Sequence, residues 1–273
     1  MKTPNAKAVG GTKKQVSPAP QGVGLLLKAF QILDLFTDQS PTWTQTELTQ
    51  ATGLARSTLG RLVRFLSARG YLLYQEQRGR YGLGFAAIEL GARAQAQFNL
   101  VELCLDVLEE LAQLTAETVI LTGYDQARAR VVCLAQIPSR HGGLRVFENI
   151  GTALPLHSGA TGKAVLAFLP ESTVKSVLDG DLTALNPAVK ITVENLVKDI
   201  AAIRDQGYVV SRQETYAGVG GVAVPVLTPL GQALGSIAIA APINRLDALT
   251  VASYAESLLK VSSQVRARIY GVE

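Results

Sequence analysis

The stretch from Thr44 to Leu72 constrains the fold of this chain more than any other. Its sequence, TQTELTQATGLARSTLGRLVRFLSARGYL, predicts two short helices joined at Gly53, where a tight turn needs a permissive backbone. In the second helix, apolar residues recur at i, i+3, i+4 and i+7, so one face is expected to be buried. These residues are Leu59, Leu62, Val63 and Leu66, and Gly70 is a typical stop signal after them. The pattern is that of a helix-turn-helix.

The other faces of the second helix carry guanidinium and hydroxyl groups. Guanidinium groups match guanine edges and phosphates, and hydroxyls near a helix start match phosphate oxygens, so this helix is predicted to enter the major groove of DNA. The predicted DNA-contacting residues here are Arg56, Ser57, Thr58, Arg61 and Arg64. Thr44 is also predicted to contact DNA. It is expected to cap the N-terminus of the first helix, with Glu47 completing a capping box, and the dipole of that helix would favour a phosphate. A merely solvated basic face is the alternative interpretation.

A hairpin is predicted directly after this motif. Residues 71–74 read as an apolar strand, Gln77–Gly79 as a polar turn, and Tyr81 and Leu83 as the alternating positions of a second strand. A hairpin in this position makes the unit a winged helix. Arg78 and Arg80 are predicted at the tip of the wing, where they would contact the DNA backbone or the minor groove.

The distribution of charge supports a polyanionic partner for the front of the chain. Residues 1–97 contain 12 Lys and Arg against 5 Asp and Glu, a net charge of +7, whereas residues 98–273 contain 14 against 17, a net charge of −3. Nucleic acid is the simplest partner for such a basic front third. The basic residues do not lie opposite a wide apolar helix face, so a membrane surface is disfavoured.

The composition indicates a cytoplasmic protein without a membrane partner. No run approaches the roughly 18 apolar residues of a membrane-spanning helix, and the N-terminal MKTPNAKAVGGTKKQVSPAPQG lacks the apolar core of a secretory signal. Cys104 and Cys133 each lie in an apolar stretch, which favours buried reduced thiols.

The remaining chain reads as a basic disordered tail, a first helix and a long mixed region. The tail is residues 1–22, and the helix over residues 23–36 is expected to pack under the helix-turn-helix. Further helices are predicted over residues 85–97, 100–114, 159–168, 194–206 and 246–270. Strands are predicted over residues 118–123, 130–136 and 143–147, and three more between residues 209 and 242.

Several motifs, in order, make the chain similar to the IclR-type transcriptional regulators. They are LLLKAFQILDLF, TELTQATGLARSTLGRLVRFL, GRYGLG, LPLHSGATGKAVLAFLP, GYVVSRQETYAGVGGVAVPV and LGSIAIAAPINRL. The resemblance implies an α+β protein: a winged helix-turn-helix at residues 23–84, a linker helix at 85–99, and a GAF-like effector domain at 100–273, in which helices flank an antiparallel sheet. It also implies a homodimer or a homotetramer built as a dimer of dimers, and a regulator instead of an enzyme.

The resemblance further implies an effector pocket where the LPLHSGATGKA loop meets the glycine-containing strands. The helix that opens at Gly159, Ala160 and Thr161 would favour a ligand carboxylate through its free backbone N–H groups. Family positions that are polar around the ligand correspond to Ser211, Gly221, Ala238 and Ala240, so a larger or more apolar ligand, such as an aromatic acid, is expected. Leu144, Val146, Leu154 and Val219 complete the predicted lining.

Three other motifs resemble nucleotide-binding or metal-binding sites but lack the spacing that such sites require. HSGATGKA fails the phosphate-loop spacing, because His157 replaces the first glycine and Ala164 replaces the Ser or Thr. GVGG at residues 218–221 lacks the spacing of a dinucleotide site. His141, His157 and Cys133 lack metal-ligand spacing, so no metal and no cofactor is expected.

The predicted function is sequence-specific DNA binding under the control of a small-molecule effector, an organic or aromatic acid of a catabolic pathway. The predicted partners are double-stranded operator DNA, the effector and a second copy of the chain. An enzyme that turns over a small acid in the C-terminal domain is the alternative. An architectural DNA-binding protein that senses no ligand is a third interpretation.

Overall fold

A computed structural model describes residues 23–37, 39–95, 99–141 and 143–270. The predicted N-terminal tail, residues 1–22, lies outside the described residues. The chain divides into two compact units, with the boundary between Ala96 and Gln97.

The first unit is a winged helix-turn-helix. Its helices are α1 (Gly24–Leu33), α2 (Gln45–Thr52), α3 (Arg56–Ala68) and α4 (Phe85–Gln95), and its strands are β1 (Thr42–Trp43), β2 (Leu72–Gln75) and β3 (Arg80–Leu83). The strands form an antiparallel sheet in the order β1-β3-β2, and a short 3₁₀ turn over residues 76–78 connects β2 to β3. The sequence did not predict β1, which has only two residues and therefore no alternation to detect.

Local signals set the ends of α2 and α3. The Thr44 hydroxyl accepts from the Glu47 backbone N–H at 3.2 Å, and the Glu47 carboxylate accepts from the Thr44 N–H at 2.7 Å, which confirms the predicted capping box. Gly53 has φ +66°, the left-handed conformation that the turn requires. At the end of α3, the Tyr71 N–H donates to the Leu66 carbonyl at 2.9 Å across Gly70. These short-range contacts are readable from sequence alone.

The core of the first unit gathers the predicted stripe of α3 with residues of α1 and α2. Ile32, Leu48, Leu59, Leu62, Val63, Leu66 and Leu72 form this core. The first helix is shorter than predicted, because α1 ends at Leu33. Leu35 and Phe36 pack against the same core from the turn that follows, so their apolar character reflects packing and not helix periodicity.

The second unit is a six-stranded antiparallel sheet flanked by helices. The strands are β4 (Thr118–Asp125), β5 (Arg130–Ile137), β6 (Ala153–Pro155), β7 (Val209–Arg212), β8 (Val219–Leu227) and β9 (Ala233–Pro242), in the order β6-β5-β4-β9-β8-β7. The helices are α5 (Asn99–Thr115), α6 (Gly159–Leu166), α7 (Glu171–Leu178), α8 (Val193–Gln206) and α9 (Ala248–Tyr270). One apolar cluster joins α5 and α9 to the sheet, and a second joins α6 and α8 to it.

The strand predicted at residues 143–147 is not formed. This segment is irregular, and the edge partner of β5 is β6, with Val131 opposite Leu154. Within the segment, Val146 and Glu148 are buried whereas Phe147 is exposed, and the Thr118 hydroxyl donates to the Val146 carbonyl. The alternation in sequence therefore arises from a loop that lies on the unit with one side inward, and not from strand pairing.

Helix α7 of the second unit was not predicted from the sequence. It has eight residues, begins after Pro170 and buries Val174. Among the described residues, no helix has the length and apolar character needed to span a membrane.

Candidate functional site

The second unit contains a cavity of about 60 Å³ between the start of α6, strands β7 to β9 and the 146–148 loop. It brings together nine of the ten residues predicted for effector binding, although their role in binding stays a prediction. They are Val146, Leu154, Ala160, Thr161, Ser211, Val219, Gly221, Ala238 and Ala240.

Leu144 is the predicted residue that the structure places elsewhere. Its side chain is 71% exposed and is absent from the described lining of the cavity. The Leu144 carbonyl accepts from Arg245 Nη2 at 3.1 Å, and Arg245 is itself bound to the buried carboxylate of Glu117. This contact holds the Leu144 backbone against the unit and leaves its side chain in solvent.

The cavity also includes six residues that sequence reasoning missed. They are Ile120, Glu148, Glu214, Thr215, Tyr216 and Gly220. Glu214, Thr215 and Tyr216 follow Ser211 in the loop between β7 and β8, so their closeness in sequence was an available signal. Glu148 had a weaker signal, since it is a carboxylate that directly follows the segment predicted as a strand, residues 143–147.

An ion cluster around the buried Lys163 holds the N-terminus of α6. Glu214 Oε2 accepts from the Gly159 N–H at 3.0 Å, and Glu214 Oε1 accepts from Lys163 Nζ at 2.8 Å. Lys163 is 4% exposed and also donates to Asp199 Oδ2 at 2.7 Å. The first amide of this helix, which was expected to be open to a ligand carboxylate, is therefore occupied by a carboxylate of the protein.

Gly162 explains why the HSGATGKA motif contains a second glycine. A Cβ at this position would lie 2.2 Å from the Pro155 carbonyl oxygen, so only glycine allows α6 to approach the backbone before it. The motif thus serves close helix packing, which agrees with the rejection of a phosphate loop.

Glu148 forms the acidic end of the cavity. Its side chain lies beside Tyr216, whose hydroxyl donates to Oε1 and Oε2 at 3.4 and 3.3 Å. Cys133 packs near this end with Ile120, Val146 and Ala240, and both cysteines are buried as predicted. Burial raises the pKa of Cys133 to about 12, and the negative charge of Glu148 contributes to the increase. This thiol therefore remains protonated at neutral pH.

In the first unit, α3 presents the predicted polar residues to solvent. Arg56, Ser57, Arg61 and Arg64 are exposed and Thr58 is half-buried, while the opposite stripe is buried as expected. This leaves a basic helix face accessible to a nucleic acid.

The two wing arginines have different environments. Arg78 is exposed in the 3₁₀ turn at the tip. Arg80 instead begins β3, where its Nη2 donates to the Thr42 carbonyl at 2.9 Å and to Glu47 Oε2 at 2.8 Å. Its guanidinium therefore ties the wing to the capped start of α2, and Arg78 remains the arginine at the tip.

We expect Arg78→Met and Arg80→Met to have different effects. Arg78→Met should change the free energy of unfolding by less than about 0.5 kcal/mol and reduce the salt dependence of DNA binding by about one phosphate contact. Arg80→Met should destabilise the first unit by about 1–2 kcal/mol, since a part-exposed ion pair and a carbonyl contact are lost. Urea unfolding and salt-dependent gel shifts measure both. Equal loss of DNA binding with unchanged stability in both variants would contradict the structural role of Arg80.

The histidines occupy ordinary structural positions. His157 Nε2 lies 3.0 Å from the Thr183 carbonyl oxygen, and His141 Nε2 lies 3.5 Å from Glu117 Oε1. Within the described ranges, no group of three or more His, Cys, Asp or Glu side chains could hold a metal ion.

A winged helix-turn-helix with an accessible basic helix, followed by an antiparallel sheet domain enclosing a cavity, defines a DNA-binding transcriptional regulator of two domains. The family described as "Bacterial transcriptional regulator IclR C-terminal" matches residues 92–267, and the family described as "IclR helix-turn-helix domain" matches residues 25–76. The chain therefore belongs to the IclR family of bacterial transcriptional regulators.

Individual relatives agree with this assignment. The HTH-type transcriptional regulator XynR of Escherichia coli is 30% identical over 232 residues, which cover 85% of this chain and 91% of XynR. The crystal structure of an IclR-type regulator from Alicyclobacillus acidocaldarius is 26% identical with a TM-score of 0.79, covering 90% of this chain and 98% of that one. An IclR homologue from Microbacterium hydrocarbonoxydans, described as complexed with 4-hydroxybenzoate, shares the fold at 22% identity and a TM-score of 0.75, covering 90% and 99%.

These relationships decide between the regulator and the enzyme interpretations. The matching families and XynR are transcriptional regulators, so the chain is a regulator and not an enzyme that turns over a small acid.

Proposed function

We propose that this regulator binds a specific operator through α3 and the wing, and that a small molecule in the cavity of the second unit controls that binding. One observation carries the proposal: nine residues expected around an effector, distant in sequence, line one cavity in a chain whose other unit presents a basic recognition helix. In this proposal residues 23–84 bind DNA, residues 85–99 link the domains and residues 100–273 bind the effector. The protein acts in the cytoplasm as a repressor that its effector releases.

The exposed apolar residues of the first unit support a proposal of self-association. Leu25, Leu26 and Phe30 are 58%, 59% and 59% exposed on α1, and Phe85, Ile88 and Leu90 are 73%, 68% and 53% exposed on α4. Exposed apolar surface of this extent is typical of an interface. We propose that two copies associate as a homodimer, or as a dimer of dimers, and present two recognition helices to the half-sites of a palindrome.

The effector is proposed to act by differential binding. A ligand changes operator affinity only if it binds the DNA-competent and DNA-incompetent arrangements unequally, typically by about 1–3 kcal/mol. The sequence predicts an organic or aromatic acid, and the fold relative from Microbacterium is described with an aromatic acid. The cavity volume of about 60 Å³ is small beside the roughly 300 Å³ of many ligand pockets, so an aromatic ring would require it to widen.

The test is selection of genomic DNA fragments by the purified full-length protein, followed by footprinting. We expect a protected inverted repeat whose half-site centres are about one helical turn apart, or a multiple of it, and binding that weakens steeply with salt. Addition of candidate small molecules should then release the fragment in a saturable manner. Protection of random fragments with no preferred sequence would refute specific operator binding, and it would favour the architectural interpretation.

A further inference from the structure

Gly60 leaves a gap in the middle of the basic face of α3. Residues four positions apart lie on the same side of a helix, so Gly60 is one turn from Arg56 and one turn from Arg64, and both arginines are exposed. Glycine is unfavourable inside a helix. Among the described residues, no backbone atom of another segment lies within 4 Å of the place where a Cβ of residue 60 would be. The packing of α3 therefore does not require a glycine at this position.

The side-chain amide of Gln45 lies over this gap. Gln45 is the first residue of α2, and its Nε2 lies 3.4 Å from the place where a Cβ of residue 60 would be. The residue is exposed. The Thr49 hydroxyl donates to its backbone carbonyl at 2.8 Å, but no described hydrogen bond engages the amide group of its side chain. A free amide group is therefore presented on the face that carries the arginines.

The backbone that carries Gln45 is fixed by its neighbours. Thr44, directly before it, forms the capping box with Glu47, and the Glu47 carboxylate is also bound by Arg80 of the wing at 2.8 Å. Leu48 of α2 and Leu59 of α3 are buried in the same core, so the two helices are held against each other. A side chain on such a fixed backbone can discriminate between ligands by geometry.

A glutamine amide recognises DNA differently from a guanidinium group. Phosphate oxygens only accept hydrogen bonds, so a lone donor is sufficient to bind them. The amide donates and accepts at the same time, and this pair of groups matches N7 and the N6 amino group of adenine in the major groove. An amide on the groove-facing side of α3 is therefore suited to adenine.

We propose that Gln45 of α2 fills the gap above Gly60 and reads one adenine in each half-site of the operator. This inference rests on the proposed function, since it assumes that α3 enters the major groove of a specific operator. Gly60 is a positioning residue in this proposal, because it leaves the space in which the Gln45 amide lies. Base readout is then shared between α2 and α3.

The experiment selects binding sites from a pool of random DNA with the full-length wild type and with Gln45→Ala. We expect the wild type to select adenine at one position of each half-site, and the variant to lose that preference alone. Replacing this A·T pair in one half-site should weaken wild-type binding about 5- to 150-fold and the variant's binding by less than about twofold. Quantitative gel shifts measure both ratios.

Gln50→Ala is the matched control, because it removes another exposed glutamine of α2. It should keep the wild-type base preference at every position. A contact from Gln45 to a phosphate has a different result, since its loss weakens binding to all sequences equally. A Gln45→Ala protein with uniformly lower affinity and unchanged base preference overturns the proposal.

Gln45→Glu tests the chemistry of the contact. A carboxylate accepts hydrogen bonds without donating them, and it matches the N4 amino group of cytosine. The preferred base at the same position should therefore change from adenine to cytosine. A purely structural role of Gln45 would leave the preferred base unchanged, so selection of adenine by this variant overturns the proposal.

Two variants of Gly60 test the placement of Gln45. Gly60→Ala adds a methyl group 3.4 Å from Nε2, which is an ordinary contact, and should keep the preference for adenine. Gly60→Met fills the gap, displaces the amide and should remove the preference. Both replace glycine by a better helix former, so loss of folding is not expected to hide the result. Adenine selected equally by Gly60→Met and the wild type overturns the role of the gap.

Failure of the proposed function has a different signature from failure of this inference. If the wild type selects no sequence, specific operator binding is refuted, and base readout by Gln45 is refuted with it. If the wild type selects a defined sequence and Gln45→Ala selects the same sequence with the same preferences, operator binding stands and the role of Gln45 alone is refuted.

Discussion

Arg61→Glu is expected to reduce operator affinity more than any other single substitution in the DNA-binding unit. Arg61 is exposed on α3, on the faces opposite the buried stripe. Loss of a guanidinium contact to a base edge costs about 1–3 kcal/mol, so two recognition helices on a palindrome lose about 2–6 kcal/mol. The introduced carboxylates add repulsion from the DNA phosphates, and the dependence of log affinity on log salt should become less steep. Quantitative gel shifts at several salt concentrations measure both effects.

Arg128→Glu is the matched control for this prediction. It changes the net charge by the same amount, but Arg128 is exposed in the turn between β4 and β5 of the second unit. Its operator affinity should stay within about twofold of wild type, which corresponds to a change of about 0.4 kcal/mol. If both variants lose affinity equally, net charge and not the recognition helix governs binding, and the assignment of α3 fails.

Lys163→Met is expected to be the most destabilising substitution of a charged residue in the second unit. Lys163 is 4% exposed and joins Asp199 to Glu214, so its removal leaves the largely buried Glu214 carboxylate without a cation. Loss of one partner of a buried pair costs about 3–5 kcal/mol. The lower end of this range is expected, because Asp199 is 41% exposed and can be rehydrated. Urea unfolding of the full-length protein measures the loss.

Lys175→Met provides a control on the neighbouring helix α7. Lys175 is 78% exposed and lies 3.6 Å from Asp179, so its loss should cost less than about 0.5 kcal/mol. Ligand binding by Lys163→Met is a second measurement, because Glu214, which loses its cation in this variant, also accepts from the Gly159 N–H at the edge of the cavity. A Lys163→Met protein with wild-type stability would show that the ion cluster does not stabilise α6.

The sequence by itself determined the helix-turn-helix, because its signals are short in range. The capping box at Thr44, the turn at Gly53, the stop at Gly70 and the buried stripe of α3 each depend on residues within about seven positions of one another. The long C-terminal helix and five of the six described strands of the second unit, all except β6, were predicted for the same reason. The order of the sequence motifs along the chain then indicated the IclR family.

Only the tertiary structure decided which side chains meet. Glu148 and Tyr216 are 68 positions apart, Arg80 and Glu47 are 33 apart, and Lys163 and Glu214 are 51 apart. Alternation in residues 143–147 predicted a strand, but strand formation requires a partner edge, and β6 occupies that edge. The same limit hid the acidic end of the cavity. Local periodicity reports which face of a segment is buried, whereas the charge that a ligand meets is a sum over segments that only the folded chain brings together.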